Sequence, residues 1–147
     1  MYSTPSRYPE QLITHMRDDL TQYGVKEART AEDVDRILGQ GGTVLMIVNS
    51  ICGCAAGKAR PAIGVALQHA TRPDVAATVF AGADLEAVAR VRERLAGLPP
   101  SSPSMALFRD GEPVFIMHRH QIENSDAPHI AKALTEAFDQ YCVTAKQ

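Results

Sequence analysis

Thr43-Val44-Leu45-Met46-Ile47-Val48-Asn49-Ser50-Ile51-Cys52-Gly53-Cys54-Ala55-Ala56-Gly57-Lys58-Ala59-Arg60-Pro61 decides the fold. Its first six residues are mostly apolar and β-branched. Gly41-Gly42 precedes them and Asn49-Ser50 follows, so they read as a buried strand. The Ala-rich segment from Ala55 to Ala70 reads as a helix. Two cysteines one residue apart therefore stand where a strand hands over to a helix. The first N–H groups of a helix lack partners and carry partial positive charge. A thiolate placed there is stabilised, which lowers its pKa and raises its reactivity at neutral pH. The stretch thus predicts thiol–disulfide chemistry.

The spacing sharpens this reading. A disulfide across Cys52-Gly53-Cys54 closes a smaller ring than a Cys-x-x-Cys bond does. Gly53 tolerates the tight backbone such a ring needs. A strained disulfide is easily reduced, so the pair is expected to be relatively oxidising. Two other readings stay open. The cysteines are half of a zinc site, although the chain has only three cysteines in all and no Cys/His pair at zinc spacing follows. Or they are inert small hydrophobes.

A chain of 147 residues predicts a single domain spanning 1–147 with a sizeable core. The net charge of −2 comes without a basic block, so no nucleic-acid partner is implied. No apolar run approaches the roughly 20 residues of a membrane span, so no membrane association is expected. Met1-Tyr2-Ser3-Thr4-Pro5 lacks the basic-then-apolar pattern of a secretory signal. Few cysteines without such a signal point to the cytoplasm and against a disulfide framework.

Residues 1–8 read as a flexible arm. From Pro9 to Tyr23, Leu12, Ile13, Met16, Leu20 and Tyr23 share one helical face, with Gly24 as the stop. Val25 to Ala28 is a weak strand. Thr30 caps a short helix buried through Val34, Ile37 and Leu38. Beyond the cysteines, Pro61 is expected to kink its helix. Lys58 and Arg60 put positive charge within two turns of the thiols, or lie on a solvated face. Val75 to Phe80 is a second buried strand. Asp84 is expected to cap a helix with Leu85, Val88 and Leu95 inside. Met105 to Phe108, the Asp110-Gly111 turn and Val114 to Met117 form a hairpin. Ile130, Ala133, Leu134, Ala137, Phe138 and Tyr141 line a last helix behind Asp126. This alternation, ending in a hairpin, predicts a three-layer α/β fold with a central mixed sheet and a helix added at the N-terminus. Cys142 steps round from Tyr141. It reads as a small residue at the core margin, or as a third thiol that resolves a mixed disulfide or links two chains.

The order of elements, with a dithiol at the strand-to-helix turn, resembles thioredoxin. Pro103-Ser104-Met105-Ala106-Leu107-Phe108-Arg109-Asp110-Gly111-Glu112 has the form and spacing of that fold's cis-proline, strand and Gly-Glu turn. Pro61 resembles its helix-kinking proline. Ser50-Ile51 stands where thioredoxin has a Trp before its first cysteine, and Met46 aligns with its buried acid. Proton handling is therefore not inherited from that model. The bacilliredoxin family, also described as Cys-x-Cys thiol–disulfide isomerases, is a closer likeness. Its marks are Asn-Ser-x-Cys-Gly-Cys-Ala-Ala-Gly-x-Ala-Arg-Pro, Ser-Pro-Ser before the hairpin, and Arg-His-Gln-Ile. They stand here at residues 49–61, 102–104 and 119–122.

The resemblance implies reduction of protein mixed disulfides with bacillithiol, or disulfide isomerisation. The partners would be proteins carrying mixed disulfides and a low-molecular-weight thiol as co-substrate. No bound cofactor and no metal is expected, since the dithiol carries the electrons. Cys52, which comes first and nearest the strand end, is read as the nucleophile and Cys54 as the resolving cysteine, with Gly53 letting them approach. Ser102, Pro103 and Ser104 are expected at the substrate, Pro103 after a cis bond that presents backbone groups to it. In a thioredoxin arrangement Met117-His118-Arg119-His120 returns towards the dithiol. Arg119 and His120 would then favour the thiolate and hold a carboxylate of the small thiol, or else lie in a solvated loop. His15, His69 and His129 read as surface residues. A non-catalytic redox-sensing or metal-binding module on the same scaffold is the alternative function.

Overall fold

The computed structural model describes residues 6–142. The elements run α1 (Glu10–Thr21), β1 (Lys26–Glu27), α2 (Ala31–Gly39), β2 (Thr43–Asn49), a π-helical turn (Ala55–Ala59), α3 (Arg60–Ala66), β3 (Val75–Phe80), α4 (Leu85–Arg94), β4 (Ser104–Arg109), β5 (Glu112–Met117), α5 (Arg119–Glu123) and α6 (Ala127–Tyr141). The strands form one sheet in the order β1-β3-β2-β4-β5. β2 lies in the middle, parallel to β3 with Met46 opposite Ala77, and antiparallel to β4 with Met46 opposite Ala106. Every residue of β2 is buried, as its unbroken apolar run requires of a strand covered on both faces.

Alternation along the strands feeds two separate cores. Leu45, Ile47, Met105 and Leu107 pack with Leu20, Ala62, Ile63, Leu134 and Phe138. Val44, Met46, Val48, Ala77 and Phe108 face the other way, onto Val34, Leu38, Ala87 and Val91. The expected three layers and mixed sheet are present. At the hairpin, Asp110 and Gly111 both have positive φ, 51° and 85°. A two-residue turn needs that geometry to match the twist of the strands it joins. Among the described residues no helix is long and apolar enough to cross a membrane.

Several local expectations are corrected. The helix after the cysteines stops at Ala66 and opens with a π turn. Pro61 is therefore not inside an α-helix that it kinks; it is the second residue of α3. The wide turn before it carries the bond from the Arg60 N–H to the Ala55 carbonyl, five residues back rather than four. On α1 the buried face is Ile13, Arg17 and Leu20, while Leu12 and Tyr23 are exposed. Arg17 takes the central i+4 position because its charge is matched inside. It donates to both Asp84 carboxylate oxygens, at 2.8 and 2.9 Å, and to Glu10. Asp84 is drawn the same way. Its side chain makes no cap for α4; it accepts from Arg17 and from the Phe80 N–H. In α4, Ala87, Val88 and Val91 form the buried face, with Leu85 and Leu95 at its margin. Of the arm, residues 1–5 lie outside the described residues. Arg7 donates its N–H to the Gly82 carbonyl, and the Tyr8 ring packs edge-on to Phe80, so 6–8 are fastened to the fold. Thr30 caps α2 in a reciprocal box with Asp33, and Asp126 caps α6, as expected.

Candidate functional site

Asn49 ends β2, and the chain turns through Ser50 and Ile51 before the cysteines. The turn is built from side chains. Asn49 Oδ1 accepts the Ser50 N–H at 2.8 Å, and Ser50 Oγ accepts the Cys52 N–H at 2.9 Å. The Ala55 and Ala56 N–H groups then bond the Cys52 carbonyl, which starts the helical run. Asn49 and Ser50 are both buried, so their polar groups need these partners.

The thiols of Cys52 and Cys54 are free and 2.7 Å apart. The Cys54 N–H points at Cys52 Sγ from 3.4 Å, and Arg119 Nη2 approaches it to 3.2 Å. Burial pushes the Cys52 thiol up. The Cys54 thiol and N–H, the Arg119 charge and the Ala55 N–H together outweigh it, so Cys52 ionises below an ordinary cysteine. Cys54 moves the other way. Burial raises it, and so do its hydrogen bond to Cys52 and the neighbouring Cys52 charge. Cys52 is thus the more readily ionised thiol of the pair and Cys54 the less readily ionised. Cys54 also packs against the core.

Arg119 ties the rest of the site to the dithiol. It begins α5, a helix where the sequence predicts only a segment returning to the dithiol or a solvated loop. The signal for it was Gln121, whose side chain accepts the His118 N–H at the helix start. Arg119 Nε donates to Glu123 at 2.9 Å and Nη1 to the Ser102 carbonyl at 3.2 Å. Its own N–H bonds Ser101 Oγ. The same guanidinium therefore touches Cys52 and the residue before Pro103. The Ser102-Pro103 bond is cis, as expected.

Other site expectations fare differently. Ser104 is buried and its hydroxyl bonds the Ser101 carbonyl at 2.9 Å, which braces the loop. Pro103 is buried too. His120 is exposed and stacks on His118 with ring centroids 5.8 Å apart, and it makes no hydrogen bond to the dithiol. Gly53 has no positive φ, and a Cβ there would meet nothing within 4 Å. With both thiols free, neither backbone nor space demands glycine. Lys58 donates to the Glu123 carbonyl at 2.7 Å. Arg60 is neither on a solvated face nor beside the thiols: it is buried under the turn, bonded to Asn49 and Ser50. Cys142 is buried, and burial raises its thiol pKa. His15 is exposed, as expected, whereas His69 is half-buried and pairs with Asp139; His129 pairs with Asp126. Asn49 and Arg60, both in the motif at residues 49–61, hold the turn together, a role the sequence alone does not predict.

A mixed five-stranded sheet between helices, a dithiol leading into a helix and a cis-proline loop beside it define a thiol–disulfide oxidoreductase of the thioredoxin fold. Solved thioredoxins share that fold. One from Plasmodium falciparum superposes with a TM-score of 0.57 at 19% identity, covering 81% of this chain and 99% of that one. One from Halobacterium salinarum gives 0.57 at 17%, covering 86% and 95%. The family described as Disulphide isomerase matches residues 8–142. A bacilliredoxin of Salinibacter ruber is 54% identical over 139 residues, 92% of this chain and 81% of that protein. One of Koribacter versatilis is 50% identical over 136 residues, 92% and 94%. The chain belongs to the bacilliredoxin family.

Proposed function

We propose that this protein reduces mixed disulfides between proteins and a low-molecular-weight thiol, bacillithiol being the foremost candidate, with Cys52 as nucleophile. The observation that carries this reading is the asymmetry of the pair: Cys52 Sγ is held by the Cys54 N–H and Arg119, which favour its ionisation, while burial and the neighbouring Cys52 oppose that of Cys54. The Cys52 thiolate attacks the sulfur of the small thiol. The disulfide bond between the small thiol's sulfur and the protein's sulfur breaks, a disulfide bond from Cys52 to the small thiol forms, and the protein's thiolate leaves with the electron pair and takes up a proton.

Two routes then restore Cys52. A second small-thiol anion attacks the adduct, releasing a small-thiol disulfide and the Cys52 thiolate. Alternatively Cys54, its proton lost, attacks Cys52 Sγ and expels the small thiol. That closes the Cys52–Cys54 bond, which needs two electrons from an external dithiol to reopen. Arg119, beside Cys52, would offer a cation to a carboxylate of the small thiol as the thiolate charge is consumed. The Ser102 carbonyl and Pro103 would border the substrate chain, and a reducing cytoplasm suits such a cycle. The chemistry also permits disulfide isomerisation by the same attack.

The test uses two substrate proteins, one bacillithiolated and one glutathionylated, each with its own small thiol as reductant. Repeated turnover, faster with the bacillithiolated protein, is expected. A single stoichiometric reaction with either would support a sensor and overturn the catalytic reading.

A further inference from the structure

Arg60 is only 4% exposed, although it lies two turns from the cysteines. Its Nη1 donates to Asn49 Oδ1 at 3.1 Å and to the Ser50 carbonyl at 3.0 Å. Asn49 Oδ1 also takes the Ser50 N–H, and Ser50 Oγ takes the Cys52 N–H. A continuous run of hydrogen bonds thus leads from the guanidinium to the backbone of Cys52. Asn49 Nδ2 anchors the run to α1 through the Met16 carbonyl at 3.1 Å. The Asp19 carboxylate of α1 lies 3.2 Å from Arg60 Nε, yet Nε has no aligned acceptor.

Burying a guanidinium is costly, and a hydrophobic side chain of similar volume fills such a space at less expense. Such a side chain, however, would leave the Asn49 amide oxygen and the Ser50 carbonyl without the two N–H bonds that Nη1 gives them. Arg60 also sits where the π turn gives way to α3, a feature that recurs at functional sites. We infer that Arg60 is a positioning residue for thiol exchange. It fixes the Ser50 carbonyl and the Asn49 amide, and through them the place of Cys52 relative to Cys54 and Arg119.

Without Arg60, two buried acceptors lose a charged donor and the turn relaxes. The groups that face Cys52 are Cys54 from the turn and Arg119 from α5. Glu123 of α5 holds Arg119, and Lys58 of the π turn is engaged by the Glu123 carbonyl. Arg60 touches none of the thiols, so it acts on Cys52 only by keeping this convergence in register.

The test is the pH profile of Cys52 alkylation by iodoacetamide in the reduced full chain, mapped by peptide mass. Arg60→Met is expected to raise the pH midpoint and lower the rate at neutral pH roughly tenfold to a hundredfold, with Arg60→Lys between it and wild type. A merely structural role would lower thermal stability and leave the midpoint in place. Folded Arg60→Met with the wild-type midpoint and rate would overturn the inference. If Arg60→Met does not fold, Ser50→Ala decides, since it removes only the acceptor of the Cys52 N–H. A raised midpoint supports the run of bonds, and an unchanged one overturns it. The inference rests on Cys52 as nucleophile. That assignment fails separately, if exchange survives Cys52→Ser, whereas the alkylation midpoint tests Arg60 alone.

Discussion

Removing the Asp84 carboxylate tests how α1 is fastened to the sheet. Arg17 and Asp84 have side chains 5% and 6% exposed and meet through two bonds of 2.8 and 2.9 Å. The guanidinium also lies over the Phe80 ring, 5.3 Å from its centroid. Breaking a buried pair from one side costs about 3–5 kcal/mol, because the other charge stays buried. In Asp84→Ala the Phe80 N–H also loses its acceptor, whereas Arg17 keeps Glu10 at 2.8 Å. At about 2–4 °C per kcal/mol for a chain of this size, the melting point should fall by about 6–20 °C. Arg17→Met leaves Asp84 as the stranded charge and should be similarly harmful. The double variant Arg17→Met/Asp84→Ala strands neither, so its cost should fall short of the two singles together by about 2–3 kcal/mol. Urea unfolding of the reduced proteins, followed by circular dichroism, measures all four corners of this cycle. Additivity within about 0.5 kcal/mol would refute the reasoning, since it would mean the two groups do not depend on each other.

Two further outcomes concern the thiols. Because the folded pKa of Cys52 lies below its unfolded value, its thiolate contributes stability that is full above about pH 8.5 and is lost as pH falls through the folded pKa. The alkylation rate of Cys52 should therefore climb with pH at a midpoint below that of an unfolded cysteine, and Arg119→Ala should move that midpoint up; a profile unchanged by the substitution would remove Arg119 from the site. Cys142, buried and raised in pKa, should react with a thiol reagent far more slowly than Cys52 in the native protein, and labelling at equal rates would contradict its place in the core.

The sequence carried the frame well where one physical rule dominated. The apolar, largely β-branched run at Thr43–Val48 read as a buried strand, and Asp110-Gly111 as a tight turn, and both are present. It failed where polar groups were buried in matched sets. Arg17 and Arg60 look like surface residues until Asp84, Asn49 and Ser50 are brought to them; Asp84 is far along the chain, and Asn49 and Ser50, though in the same motif as Arg60, meet it only once the turn folds. The same competition took Asp84 from its helix cap. The motif sets the neighbourhood of Ser104 but not which way its hydroxyl turns, here to the Ser101 carbonyl. The pair of cysteines was legible from spacing. The order of the two roles and the return of Arg119 towards the dithiol were legible as well; what was not is that Arg119 opens a short helix and meets Cys52 Sγ directly, at 3.2 Å, from 67 residues further along the chain.

The central claim is that Cys52 carries the small thiol and Cys54 does not. Cys52→Ser and Cys54→Ser, each incubated with a bacillithiolated protein and followed by substrate reduction and intact mass, test it directly. The account predicts that Cys52→Ser abolishes reduction. Cys54→Ser should retain it and accumulate one small thiol disulfide-bonded to Cys52. An active Cys52→Ser beside a dead Cys54→Ser would contradict the account and move the nucleophile to the other cysteine.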